Sequence, residues 1–333
     1  MPENQFQQKT ENQNKKILVT GGAGFIGSHL VEALLKRGDF VVCVDNFNDF
    51  YHPGQKELNV APFLNNPNFK LFKININNID ALRVVFTENN IQKIVHIAAQ
   101  AGVRGSLIDP HLYFNSNITG TLNLLDLAKE FGIKHFIFAS SSSIYGKNNK
   151  VPFSENDNVD FPMSPYAATK KAGELLCHTY YHLYDINTTC LRFFCVYGPK
   201  GRPDNVPYKF TKVIESGEEL PMFGDGTAKR DYTYIDDIIA GVLAAVDKPL
   251  GFEIINLGNS KTVDLKYFIS VVENLLGKKA KIKQMPYPVS DVHTTFADIS
   301  KAKQLLGFSP KTNIEEGMAR FVNWYKNERF QEK

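Results

Sequence analysis

The chain has 333 residues, 43% of them hydrophobic, and its 38 Lys and Arg against 35 Asp and Glu leave a formal charge of +3. That length carries one large α/β body or two unequal lobes with a sizeable core. So small a positive excess, with no long Lys/Arg run to track a phosphate backbone, speaks against nucleic acid as a partner. The longest strongly apolar run, 238–246, is far too short to cross a bilayer, so no membrane association is expected.

Residues 1–15 are polar and rich in Asn and Gln, which reads as a disordered tail without the apolar core of a secretory signal. "KILVT" (16–20) then predicts a buried strand, and "FIGSHLVEALLKRG" (25–38) a helix closed by Gly38. Further strands are expected at 40–46, 69–74, 93–98 and 134–140, with a helix around 115–131 before the last. Near-continuous apolar strands alternating with amphipathic helices make a parallel sheet covered on both faces, a Rossmann-type doubly wound α/β fold. Residues 16–175 form this domain, with segments near 188–198 and 230–258 returning to it. From 176 to 330 the pattern loosens into loops such as "YGPKGRPDN" and "FGDGTAKRD", which suggests a smaller mixed α/β substrate-binding lobe.

Cys43, Cys177, Cys190 and Cys195 form no CxxC pair and suit a reducing, cytoplasmic compartment as core fillers. His178 and His182 stand four apart, but "HTYYH" holds no catalytic Glu and no third ligand is evident, so no metal site is expected.

"TGGAGFIGS" (20–28) places Gly21, Gly24 and Gly27 between the first strand and the first helix. Glycines there permit a tight turn and let a pyrophosphate approach the helix N-terminus. Asp45 closes the second strand about twenty residues on, where a carboxylate accepts both hydroxyls of an adenosine ribose. The same carboxylate repels a 2′-phosphate, so NAD is expected over NADP.

"SPYAATKKAGE" (164–174) opens a second informative stretch. Ser164 and Pro165 predict a helix start, and Tyr166 and Lys170, four apart, share one helix face. A phenol with an ordinary pKa near 10 is a poor base at neutral pH. A neighbouring ammonium and a positively charged nicotinamide favour the phenolate, so a lowered pKa is expected for Tyr166. Ser141, at the end of the strand over 134–140, is placed to hydrogen-bond the same substrate hydroxyl.

With these motifs in place, "AAQAGVRGSL", "FASSSSIYG", "PYAATKKAGE", "RFFCVYGPKGRPD" and "GDGTAKRDYTYIDD" resemble the extended short-chain dehydrogenase/reductases. Within them, the chain is most similar to nucleotide-sugar epimerases of the UDP-glucuronate 4-epimerase type, from about Lys16 to Trp324. The resemblance implies Ser141, Tyr166 and Lys170 as the catalytic set. It implies Gly21, Gly24, Phe25, Ile26 and Gly27 around the pyrophosphate, Asp45 and Asn46 on the ribose, and Asn75 and Ile76 at the adenine. Ala98, Ala99 and Asn117 would line the cofactor cleft, with Phe193 near the nicotinamide. For the UDP-sugar it implies Arg230 at the diphosphate, Arg202 near the sugar carboxylate, Arg104 as a further anion contact, Ser142, and Asp291 at the uridine ribose. Cys195 stands where Thr is common, and Ser290 where glycine is usual.

The reaction so implied is NAD-dependent C4 epimerisation of a UDP-hexuronate through a transient 4-keto sugar. Alternatives are a 4-epimerase of UDP-glucose or UDP-N-acetylhexosamine, a UDP-glucuronate decarboxylase, and a non-catalytic NAD-binding scaffold. A 4,6-dehydratase is disfavoured because Ser142 and Ser143 occupy the usual Asp-Glu positions. The resemblance also implies a homodimer, with the apolar and aromatic "ELLCHTYYHLY" (174–184) as a contributor.

Overall fold

The computed structural model describes residues 15–148, 150–287 and 292–330. Its first half alternates as the apolar runs require. Strand β1 (Lys16–Thr20) leads through the glycine turn into α1 (Phe25–Lys36), and Gly38, at φ 91°, swings the chain into β2 (Phe40–Asp45). Then follow α2 (Pro53–Val60), β3 (Phe69–Lys73), α3 (Ile79–Asn89) and β4 (Lys93–His96). The Asn78 side chain caps α3 by accepting from the Ala81 N–H, 3.1 Å. Three helices, α4 (Val103–Ile108), α5 (Pro110–Phe114) and α6 (Gly120–Glu130), precede β5 (His135–Ser141).

The helix expected over 115–131 is thus longer and interrupted. It starts at Pro110, and a π-turn over Asn115–Thr119 separates α5 from α6. The wider turn aims the Asn117 side chain inward, where Nδ2 donates to Gln100 O (3.0 Å) and Thr169 Oγ1 (2.9 Å).

Helix α7 (Pro165–Tyr184) and β6 (Asn187–Phe193) come next. The remaining chain runs through β7 (Val196–Tyr197), α8 (Val206–Ser216), β8 (Glu219–Phe223), β9 (Lys229–Arg230), β10 (Thr233–Tyr234), α9 (Ile235–Asp247) and β11 (Phe252–Leu257). It ends with β12 (Val263–Asp264), α10 (Leu265–Leu276), β13 (Lys281–Met285), α11 (Ser300–Leu306) and α12 (Ile314–Asn327). Seven strands form one parallel sheet in the order β3-β2-β1-β4-β5-β6-β11, while β7 pairs with β10, β9 with β12 and β8 with β13. Successive residues feed opposite faces. Ile17, Val19, Val41 and Cys43 pack on one side, and Leu18, Val42, Val44 and Ile94 on the other.

Helix α7 is seated by its own sequence. The Ser164 hydroxyl accepts from the Ala167 N–H (3.1 Å), and Gly173 lets the helix lie against the sheet, since a Cβ there would stand 2.3 Å from the Phe138 ring. At the next residue, Glu174 and Arg192 form a bidentate pair at 2.9 Å for each bond, with both side chains 1% exposed. Ser140 Oγ also donates to Glu174 (2.6 Å), and Arg192 Nη1 donates to the Tyr145 hydroxyl (3.0 Å). Removing one partner strands the other charge in the core. Glu174→Ala should therefore lower the unfolding free energy by about 3–5 kcal/mol in urea titration, whereas Glu174→Gln, which keeps an acceptor, should cost less.

Candidate active site

The crevice opens at the carboxyl ends of β1 and β4, where the strand order reverses. Its floor is the turn between β1 and α1. Gly21 sits at φ 71° with its N–H on Val44 O, and a Cβ there would lie 2.7 Å from Ala98 N. A Cβ on Gly27 would fall 2.0 Å from Gly21 O, so neither position admits a larger residue without moving backbone. Gly24, Phe25 and Ile26 complete this part of the wall at the start of α1.

Asp45 ends β2 with 7% of its surface exposed and still reaches the crevice. Its Oδ2 accepts from Ala23 N–H (3.1 Å) and its Oδ1 from Phe47 N–H (2.9 Å), with Lys56 Nζ 3.7 Å away. Burial lowers the Lys56 pKa, and Asp45 opposes that shift. Asn46, Asn75, Ile76, Ala98 and Ala99 line the same crevice, as do Phe193, Tyr166, Lys170 and Arg202 at its other end. A glycine cradle under a helix N-terminus, with a carboxylate at the second strand's tip, fits a dinucleotide.

Tyr166 and Lys170 project from the first turns of α7 towards the end of β5. Burial raises the Tyr166 pKa; a hydrogen bond from Ser141 and the charge of Arg202 lower it, and Asp204 raises it again. The lowered pKa expected from the sequence takes in a positively charged nicotinamide as well; these are the influences of the protein alone. Lys170 Nζ donates to Ala139 O at 2.7 Å and lies 5.1 Å from the Phe138 ring centre. Burial lowers the Lys170 pKa to about 8. Ser141 also shares a hydrogen bond with Ser143 Oγ, 2.9 Å. Arg202 is held by Asp204 through Nε and Nη2, 2.8 Å each.

Several expected residues lie off the crevice wall. Asn117 is buried behind it, its Oδ1 accepting from Gln100 N–H at 2.7 Å, so it shapes the wall through Gln100. Ser142 begins the short 3-10 turn after β5, and Cys195 is half-buried between β6 and β7. Arg104 is exposed on α4 with its guanidinium 4.7 Å from the Phe223 ring centre. Arg230 lies on β9 and donates from Nη1 to Lys229 O (3.0 Å) and His293 O (3.1 Å). Asp291 and Ser290 fall outside the described residues.

The sequence reading missed Tyr51, Lys56 and Gln100 on the crevice wall, and Asp231 beside Arg230. Asp231 is fully buried and accepts from the N–H groups of Asn259 (2.7 Å), Ser260 (3.0 Å) and Ala297 (3.0 Å), which joins three loops. Burial raises its pKa to about 6, against those hydrogen bonds. Among the described residues, no three His, Cys, Asp or Glu are grouped to hold a metal, and no helix is long and apolar enough to cross a membrane.

The fold and the crevice together are those of an extended short-chain dehydrogenase/reductase. Residues 18–321 match the family model described as GDP-mannose 4,6 dehydratase, and the chain belongs to that family. It is 50% identical over 310 residues to a UDP-glucuronate 4-epimerase of Thermodesulfobacterium geofontis, covering 93% of this chain and 95% of that one. A crystal structure of the Bacillus cereus UDP-glucuronic acid 4-epimerase in complex with UDP-glucuronic acid and NAD superposes with a TM-score of 0.88 at 38% identity, covering 93% of this chain and 99% of that one. A UDP-glucose 4-epimerase of Thermotoga maritima, solved with UDP-glucose, gives 0.86 at 33% identity over 93% and 98%.

The Lys170 value of about 8 lies below the ordinary lysine value of about 10.4. Between the two the folded state holds fewer protons than the unfolded, so this group makes stability rise with pH across that window and adds no further change well below 8, where both states are protonated. Lys170→Met should remove that contribution: the stability of wild type relative to the variant, from urea unfolding, should increase between about pH 7.5 and about pH 10.

Proposed function

We propose that the chain catalyses the NAD-dependent inversion of C4 in UDP-glucuronate, giving UDP-galacturonate through a transient 4-keto sugar. The observation that carries this reading is one crevice with Asp45 and the glycine cradle at one end and Tyr166, supported by Ser141 and Lys170, at the other. Two of the relatives named above are UDP-glucuronate 4-epimerases by name, and the B. cereus structure holds that sugar nucleotide with NAD.

NAD, when bound, takes up the C4 hydride and gives it back. Tyr166 Oη receives the proton of the sugar 4-hydroxyl as C4 is oxidised, and returns it to the same oxygen after the keto sugar has turned over. The Ser141 hydroxyl holds the reacting oxygen by a hydrogen bond. Lys170 fixes the end of β5 through Ala139 O and keeps a positive charge behind the phenol. Arg202, from the loop after β7, is the anion contact on the crevice wall, and Arg230 supplies a second for the diphosphate.

The family's dehydratase name does not carry over to the chemistry. Elimination of water needs an acid and a base beside the sugar, and the chain places Ser142 and Ser143 after β5, with Ser143 Oγ bonded to Ser141 Oγ. The four free cysteines suit a reducing cytoplasm. A homodimer is supported by apolar side chains left exposed on neighbouring helices, Leu112 and Phe114 on α5 and Leu175 and Leu183 on α7.

Purified protein given UDP-glucuronate without added NAD should yield UDP-galacturonate, seen by nuclear magnetic resonance. Tyr166→Phe should slow that conversion by about 10²–10⁴-fold. Conversion of UDP-glucose alone, or release of CO₂ with a UDP-pentose as the main product, would replace this assignment.

A further inference from the structure

Tyr51 belongs to none of the motifs that identify the crevice, yet its ring lines it. Its hydroxyl is shut off from solvent and has no hydrogen-bond partner among the described residues. A buried hydroxyl left unpaired costs free energy, and such groups in native chains call for an explanation. Here the surroundings supply one. A Cβ placed on Gly24 would lie 4.0 Å from Tyr51 Oη, so the hydroxyl faces the glycine turn. The charges that act on it are Asp45 on the ribose side and the Arg202–Asp204 pair on the Tyr166 side. It therefore stands between the two ends of the crevice, above the turn that carries the N-terminus of α1.

The part of a dinucleotide that spans those ends is its pyrophosphate. We propose that Tyr51 Oη donates a hydrogen bond to a pyrophosphate oxygen of the bound dinucleotide, across from the backbone N–H groups at the start of α1. This rests on the NAD reading of the crevice. The loop that bears Tyr51 is held in place before any ligand arrives. Lys56 Nζ lies 5.2 Å from the phenol ring centre. On its far side, His52 stacks on Phe330 at 4.4 Å, and the Phe330 N–H donates to Gln55 Oε1 at 2.9 Å. The donor is preorganised, so little ordering is needed to form the bond. Burial raises the Tyr51 pKa far above the working range, which keeps the proton available for donation.

Tyr51→Phe isolates the contact, because it removes only an oxygen that has no hydrogen-bond partner among the described residues. Calorimetric titration of cofactor-stripped protein should show NAD and ADP-ribose binding weakened about tenfold or more, with adenosine binding unchanged. Urea unfolding of the stripped variant should show no loss of stability. Unchanged NAD affinity would overturn the contact, as would an equal weakening for adenosine. A lower stability of the stripped variant would mark a structural role instead, and a raised KM for UDP-glucuronate at unchanged NAD affinity would move the hydroxyl to the sugar site. A wild-type protein that binds no dinucleotide would overturn the NAD reading itself; binding by wild type and variant alike overturns the Tyr51 contact alone.

Discussion

Helix α7 carries Tyr166, Lys170 and Glu174 at intervals of four, so the three form one stripe along its inner face. Glu174 is locked to Arg192 on β6 and to Ser140 on β5, and Lys170 is tied to Ala139 on β5 one turn earlier. Two successive turns are thereby fixed to two adjacent strands. The third, bearing Tyr166, overhangs the end of β5, where Ser141 closes the strand. A buried ion pair is costly as a source of stability, since desolvation offsets much of its attraction. Its use here is positional: a small slide of α7 along the sheet would break three short-range bonds to carboxylate oxygens at once. The reacting phenol inherits that register.

The opposite wall is built from uncharged groups. Thr20 Oγ1 meets His96 Nδ1 at 2.7 Å, and His96 Nε2 meets Thr121 Oγ1 at 3.0 Å. Thr121 in turn donates to Asn117 O, and the Asn117 amide grips both backbone groups of Gln100. Burial, with Lys170 nearby, lowers the His96 pKa to about 3, so the ring stays neutral. The chain of bonds runs from the first residue of the glycine turn to the segment bearing Ala98 and Ala99. It sets the width of the crevice without placing a competing charge inside it, which leaves Asp45 as the carboxylate at the ribose end.

Much of this was legible in the sequence because its cause is local. The strands near 40–46, 69–74, 93–98 and 134–140 appear within a residue or two, since apolar runs closed by turns have few other solutions. The glycine turn and Asp45 are likewise written in short-range spacing, and so is the Ser164 cap that starts α7. What stayed hidden depends on distant chain. The π-turn at Asn115–Thr119 is stabilised by Gln100 and Thr169, which no helical period around residue 117 announces. Tyr51 reads as an ordinary loop aromatic until the fold brings Gly24 beneath it. Asp231 reads as one more charge beside Arg230, and its three amide donors come from loops some thirty and more residues away.

The same distinction bears on the phenol's electrostatics, which the sequence reading ties to both the Lys170 ammonium and a positively charged nicotinamide. Spacing alone shows that Lys170 shares a face with Tyr166, but not which acceptor its ammonium takes. In the fold the ammonium donates to the Ala139 carbonyl at the end of β5. The influences left on Tyr166 are burial and Asp204 on one side, and the Ser141 hydrogen bond and Arg202 on the other. Arg202 cannot act as a lone cation there, because Asp204 occupies its Nε and Nη2 edge. The protein by itself therefore favours the neutral phenol, and a phenol that keeps its proton removes none from a sugar. Only added positive charge in the crevice reverses that preference, which couples proton removal to the presence of an oxidant instead of leaving a reactive phenolate standing.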